Sequence, residues 1–318
     1  MGEAMYIFSR VTIIGVGAIG GSVGLAAKAR RVARTVIGID IDSDAIESAL
    51  RVGAVDYAVS DLDEGINGFM SSDISDNSFF SDDIGGGVRR RHKPEIVIIA
   101  TPVSLVGRYV VDVSNIVHNE DYLRNILITD VASTKETICS QFYDIDSRLL
   151  QNDCRFIGSH PIAGTEKSGV INGDSNLFVN RLVAITPSDS SRELDIAMLL
   201  RFWQSLGAMV VSMSYMEHDR VLARTSHLPH LISALLAGQL RSADAKYTGT
   251  GFKSTTRLAA GKPAIWKDVI ENNTDAILEA IKEYEEGLKI LREYIEQKEW
   301  NKLTDFLENA KTKRDSLT

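Results

Sequence analysis

Apolar positions along the chain follow two patterns. Up to about Ser212, short apolar runs rich in β-branched residues at 11–14, 35–39, 95–100 and 126–129 read as buried strands, with weaker runs at 156–157 and 182–186. Helical patterns lie between several of them, the first at 19–28. Continuous apolar runs of this length suit strands covered on both faces. The alternation predicts an α/β domain, a doubly wound parallel sheet of Rossmann type, over residues 1–213. Beyond 213 no strand pattern appears. Residues 217–240 read as one helix in spite of Pro229, and 264–297 as another. The second carries an apolar stripe through Ile265, Val269, Ile277, Tyr284 and Leu288 at helical spacing. A stripe that long exceeds what one small domain covers. Residues 214–318 are therefore expected to form an all-α domain that also makes a homodimer.

Residues 61–93 interrupt the first pattern. They are rich in Ser, Asp, Asn and Gly and end in Gly85-Gly86-Gly87 and the basic run 89–93. Loops in α/β domains are normally far shorter. This composition predicts a flexible surface insertion, with a lid or partner site as the functional alternative.

The glycines after the first run give the fold a ligand. Gly15-Val16-Gly17-Ala18-Ile19-Gly20 follows a strand and opens a helix. In such a fingerprint Gly15 permits the tight turn, Gly17 lets backbone approach a pyrophosphate, and Gly20 lets helix and strand pack closely. The phosphates then meet the unpaired N–H groups of the helix start, around Ala18 and Ile19. Asp40 ends the second strand twenty residues past Gly20. A carboxylate there binds ribose hydroxyls and repels a 2′-phosphate, so NAD is expected rather than NADP. Thr101 and Pro102 end the 95–100 strand. They sit either beside the nicotinamide half of the cofactor or in a plain strand-ending turn.

Charge and composition narrow the class. The formal charge of −8 excludes a general nucleic-acid binder, which needs a basic face. Neither a signal peptide nor a membrane-spanning run is legible, so a cytoplasmic enzyme with a small-molecule substrate is expected. Cys139 and Cys154 have no metal-like spacing and read as buried structural thiols.

Three downstream clusters carry candidate chemistry. The first is Asp130-Val-Ala-Ser133-Thr-Lys135. The second is Gly158-Ser-His160-Pro-Ile-Ala-Gly164-Thr-Glu166-Lys167-Ser-Gly169. The third is His227-Leu-Pro-His230, followed by Phe252-Lys253-Ser-Thr-Thr-Arg257 and then Trp266. His160 lies where a sheet presents residues to ligand, and neutral imidazole accepts a proton near pH 7. A structural histidine is the alternative at this position. His227 and His230 share a helix face, but no third ligand stands at metal spacing, so no metal is expected. Lys253 and Arg257 supply cations for an anionic substrate, or form a solvated helix face.

Taken together, GVGAIGGS, ATPV, DVASTK, GSHPIAGTEKSG, SHLPH, GFKSTTR and PAIW resemble the prephenate/arogenate dehydrogenase family of tyrosine biosynthesis. The likeness runs from Val11 to about Asn273. It implies an enzyme that moves a hydride from C4 of a cyclohexadienol to nicotinamide while the ring loses CO2 and becomes aromatic. Prephenate gives 4-hydroxyphenylpyruvate; arogenate gives tyrosine. By this resemblance His160 accepts the hydrogen bond of the 4-hydroxyl, Ser133 orients it, and Arg257 clamps a substrate carboxylate. His230 and Trp266 line the pocket, Trp266 from the same or the partner subunit, and Glu166 and Lys167 flank its mouth. Ser254 departs from the family, standing where many members carry an acidic residue. A non-catalytic dinucleotide sensor would keep the glycines and Asp40 but has no need of His160, Ser133 and Arg257.

Overall fold

The first apolar run becomes β1 (Phe8–Ile14), near the centre of a six-stranded sheet. The computed structural model describes residues 6–67, 80–81, 90–91, 95–119, 123, 125–143, 154–164 and 168–317. After β1 come α1 (Ala18–Ala29), β2 (Ala33–Ile39), α2 (Ser43–Arg51), β3 (Tyr57–Val59) and α3 (Leu62–Asn67). The two-residue strands β4 (Phe80–Ser81) and β5 (Arg90–Arg91) pair antiparallel. Then follow β6 (Ile96–Ile99), α4 (Val103–Asn119), β7 (Leu127–Asp130), α5 (Glu136–Tyr143) and β8 (Arg155–Phe156). The order β3-β2-β1-β6-β7-β8 is parallel throughout, as expected from the alternation of strands and helices. Its winding reverses between β1 and β6, where ligands bind in open α/β sheets.

Strand pleating builds a core on each face. Val11 and Ile13 of β1, Val36 of β2 and Ile96 and Ile98 of β6 join one cluster with Val23, Ala26 and Ala27 of α1. Ile14, Ile39, Val97 and Ile99 point the other way. There they meet Val103, Val106, Val110, Val113 and Val117, a stripe of α4 at three- and four-residue spacing. Burial on both faces explains why these strands read as unbroken apolar runs.

A second sheet was not expected as such. β9 (Gly158–Pro161), β10 (Leu182–Thr186) and β11 (Met209–Ser212) form it in the order β11-β10-β9. The helix α6 (Glu193–Ser205) connects β10 to its parallel neighbour β11, whereas β9 and β10 are antiparallel. An apolar pattern records which face is buried and not strand direction, so a single parallel sheet over-extended the rule.

Part of the supposed insertion is integral. Gly65 and Ile66 of α3 are buried, and the side chain of buried Arg10, from β1, reaches the carbonyls of both. A guanidinium on the last carbonyls of a helix satisfies groups that would otherwise lack partners. The rest of 61–93, apart from β4 and β5, lies outside the described residues.

Two helices end earlier than their patterns suggest. The first is α7 (Tyr215–Leu222), which gives way to a π-helical turn, Ala223–His227, before α8 (Leu228–Gly238). Pro229 sits in the first turn of α8, where its missing N–H costs least. The wider turn ahead of it removes the clash its ring would make in an unbroken helix. The second is α10 (Pro263–Glu271), which follows the short α9 (Thr250–Thr255). Asn272 bonds the Asp268 carbonyl and carboxylate, and Asn273 bonds the Asp219 carbonyl, so these amides compete with helix continuation. α11 (Thr274–Glu296) and α12 (Trp300–Asp315) complete the chain.

Two compact units result. The first comprises residues 1–221 and 260–273, and the second 222–259 and 274–318. The first unit thus takes in α10 and nearly all of α7, which the sequence pattern places beyond residue 213. In the second, α11 packs on α8 and on the π-helical turn, and Arg224 makes a bidentate ion pair with Glu283 at 2.7 and 3.0 Å. Ile277 and Ala280 are buried, whereas Tyr284, Leu288, Ile295 and Trp300 are exposed. Among the described residues no helix is long and apolar enough to cross a membrane.

Candidate active site

The glycine loop has the geometry its sequence implies. Gly15 sits at φ +91°, a conformation that disfavours any side chain, and a Cβ there would lie 2.6 Å from the Ala100 carbonyl oxygen. A Cβ on Gly20 would lie 2.0 Å from the Gly15 carbonyl oxygen. At Gly17 a Cβ meets nothing within 4 Å, so the space over the loop is open. Gly17 caps α1 with no side-chain hydrogen bond, and the first turn, with Ala18 and Ile19, holds no acidic residue. Asp40, half-buried just after β2, accepts the Val16 N–H at 2.9 Å and the Asp42 N–H at 3.0 Å. The carboxylate is thereby tied to the glycine loop, with lone pairs left for further donors. Thr101 and Pro102 lie between β6 and α4.

Open loop, bare helix N-terminus and anchored carboxylate together fit a dinucleotide. They also separate two glycines experimentally. Gly20→Ala is expected to lose about 3 kcal/mol of stability, because backbone oxygen cannot yield to the new methyl group. Gly17→Ala is expected to leave the urea midpoint unchanged and weaken cofactor binding at least about tenfold, by filling the space of closest backbone approach. Urea unfolding and cofactor titration of both variants check the pair.

At the end of β7 the loop that carries Ser133 is closed at its base. Asp130 and Lys135 are both fully buried and form an ion pair. Asp130 also accepts the Ala132 N–H at 3.0 Å and the Ser159 N–H at 3.2 Å, while Ser159 Oγ donates to the Asp130 carbonyl at 2.6 Å. These bonds join the Ser133 loop to β9, the strand that presents His160. Ser133 is half-buried, and His160 is 9% exposed.

Behind His160 the structure places a partner, His218, and behind that Asp219, both of which sequence reasoning missed. His160 Nδ1 lies 2.9 Å from His218 Nε2, with the rings edge-on. His218 Nδ1 lies 2.7 Å from Asp219 Oδ1. Asp219 also accepts the N–H groups of Lys135 and Glu136 at 2.8 Å each, at the start of α5. His218 and Asp219 are fully buried on α7. Two adjacent titratable residues on a largely polar helix were the available signal, but it does not say what they face.

The remaining candidates divide between the units. Trp266 belongs to the first, on α10, where Asp268 accepts from Ser104 N and Lys262 donates to Ser168. Lys253, Arg257 and His230 belong to the second. Lys253 and Arg257 are exposed. Buried Ser233 accepts the Ala259 N–H and donates to the Thr255 carbonyl, holding the turn that carries Arg257. His230 Nδ1 donates to the Ser226 carbonyl at 3.1 Å. Glu166 and Lys167 lie outside the described residues. No group of three or more metal-ligating residues occurs among the described residues. Burial pushes the thiols of Cys139 and Cys154 up to about 12, as suits structural thiols.

A Rossmann-type unit with an open glycine loop, beside a strand that carries a buried histidine, defines a dinucleotide-dependent α/β protein. Comparison with known proteins gives the family. The model described as "Prephenate dehydrogenase, nucleotide-binding domain" matches residues 81–212, and "Prephenate dehydrogenase, dimerization domain" matches residues 214–309. A curated prephenate dehydrogenase of Bacillus subtilis (strain 168) is 32% identical over 313 residues, 96% of this chain and 76% of its own length. A cyclohexadienyl dehydrogenase of Zymomonas mobilis is 28% identical, covering 98% of this chain and 97% of its own. The crystal structure of prephenate dehydrogenase from A. aeolicus in complex with hydroxyphenyl propionate and NAD+ has a TM-score of 0.81 at 27% identity, with both chains covered fully. The chain belongs to the prephenate dehydrogenase family.

Proposed function

We propose that the protein catalyses the NAD+-dependent oxidative decarboxylation of prephenate to 4-hydroxyphenylpyruvate. One observation carries the reading: a buried histidine, with one ring nitrogen engaged by a second histidine, on a strand joined to the Ser133 loop. In this reading Gly15, Gly17 and Gly20, with the amides of Ala18 and Ile19, hold the pyrophosphate, and Asp40 takes the adenosine ribose. Thr101 and Pro102 border the nicotinamide half. The chemistry NAD+ supplies when bound is acceptance of the hydride leaving C4.

The chain's own residues must manage charge and orientation. His160 accepts the hydrogen bond of the 4-hydroxyl as positive charge builds at C4, lowering the barrier as a positioned base does. The electron pair of the bond to the ring carboxylate then completes the aromatic ring, and CO2 leaves. Ser133 orients His160 and substrate. Arg257 clamps a substrate carboxylate with its planar fork, and Lys253 adds positive charge. His230, Trp266 and Glu166 are assigned to the pocket lining. The exposed apolar stripe of α11 is assigned to a homodimer contact, in keeping with the description of the matching C-terminal domain model.

Turnover assays with prephenate and with arogenate, each with NAD+ and NADP+, test the assignment. Prephenate with NAD+ is expected to give the highest kcat/KM. Preference for arogenate would move the reading to the sister activity, and no turnover of either substrate would reject it. Arg257→Ala is expected to raise KM for prephenate at least about tenfold with a smaller change in kcat, as loss of a carboxylate anchor does. An effect confined to the KM for NAD+ would show the residue misplaced.

A further inference from the structure

The groups around Asp219 constrain where the protons behind His160 lie. Asp219 Oδ1 faces the Lys135 N–H and His218 Nδ1, and its Oδ2 faces the Glu136 N–H. A backbone N–H only donates, so both carboxylate oxygens are acceptors, and His218 Nδ1 carries a hydrogen. In its neutral form His218 then presents a bare Nε2, which accepts from His160 Nδ1 at 2.9 Å. His160 in turn keeps its single hydrogen on Nδ1, which leaves Nε2 as its basic nitrogen.

We infer that His218 and Asp219 are positioning residues that lock His160 in the Nδ1–H tautomer and spread the charge it acquires. This rests on the reading of His160 as the hydrogen-bond acceptor of the substrate hydroxyl. When the hydroxyl proton moves to His160 Nε2, the ring becomes an imidazolium. Its Nδ1 hydrogen lies on a short path to His218 Nε2. Transfer along that path places the positive charge on His218, in direct contact with the Asp219 carboxylate. One proton enters at Nε2 and one leaves Nδ1, so His160 returns to neutral and His218 carries the charge; once CO2 has left and the ring oxygen is a phenolate, both moves reverse, which restores the product hydroxyl and leaves both histidines neutral. All three side chains lie in water-poor surroundings, where such a contact is stronger than at a surface. The Asn273 amide on the Asp219 carbonyl, and the α5 amides on its carboxylate, keep the last member of the chain from moving.

Asp219 also caps α5, so substituting it would mix a structural effect with the proposed one. The test therefore uses His218 and begins with the wild type. In full-length protein with 15N-labelled histidine and no substrate, two-bond 15N–1H correlations report each tautomer, with His160→Asn assigning the signal. The expected result is His160 with hydrogen on Nδ1; hydrogen on Nε2 overturns the inference without bearing on turnover. His218→Leu removes the acceptor and leaves the α5 cap in place. It is expected to shift His160 to the Nε2–H tautomer and to lower kcat at least about tenfold, with both KM values within about twofold. His218→Gln, whose amide oxygen can accept from Nδ1, is expected to recover part of that loss. A folded His218→Leu enzyme with wild-type kcat and an unchanged His160 tautomer would overturn it. Should prephenate turnover be absent while the wild-type tautomer is Nδ1–H, the proposed function fails and the tautomer lock stands.

Discussion

His160→Asn is expected to lower kcat by about 10²-fold or more, the loss typical of a removed acid–base group. Asparagine is polar and of similar reach, and can still bond His218 Nε2, so β9 and its pairing with β10 should survive. What it lacks is a basic nitrogen. The 4-hydroxyl would then face an amide that cannot take up positive charge, and the barrier to hydride departure would rise. Binding is expected to change little, because the substrate carboxylate is assigned to Arg257. Steady-state kinetics with prephenate and NAD+, beside a thermal melt, check this. An unchanged kcat in a folded variant would remove His160 from the chemistry.

Lys135→Met should produce the largest loss of stability, about 3–5 kcal/mol, the cost of breaking a buried pair by deleting one partner. Methionine fills much of the volume of the lysine stem but leaves the Asp130 carboxylate buried with only the Ala132 and Ser159 amides. Much of the net stability of an ordinary domain is of that order. Activity should fall as well, since the ion pair closes the loop that holds Ser133. Replacing both partners, Asp130→Asn with Lys135→Met, should recover part of the stability, because the uncompensated charge is then gone. Urea unfolding of both single variants and the double variant measures the coupling. Strictly additive losses would mean the two side chains stabilise the loop independently.

Much of the nucleotide-binding architecture is local and was therefore legible. Strands buried on both faces write themselves as apolar runs, and the glycine loop must stand between the first strand and its helix. The second sheet was less legible, because β9 carries Gly158, Ser159, His160 and Pro161 and has no apolar pattern to betray it. Residue type and cluster single out His160 as a candidate, but no such signal marks His218 and Asp219. They lie 58 and 59 residues further along the chain, and tertiary packing alone brings them behind it. The helix end at Glu271 depends on Asn272 and Asn273 bonding backbone oxygens, one of them on α7. Trp266 likewise joins the first unit through the contacts of α10 with the start of α4 and with Ser168, which no periodicity encodes.

The proposed coupling of hydride removal to loss of the ring carboxylate takes place at one site. It is tested most directly by supplying prephenate labelled at that carboxylate, with NAD+, and following labelled CO2 and reduced nicotinamide together. Equal amounts of both, formed in step by the wild type and lost in step in His160→Asn, are the predicted result. Reduced nicotinamide without CO2, CO2 without reduced nicotinamide, or neither product from the wild type would contradict it.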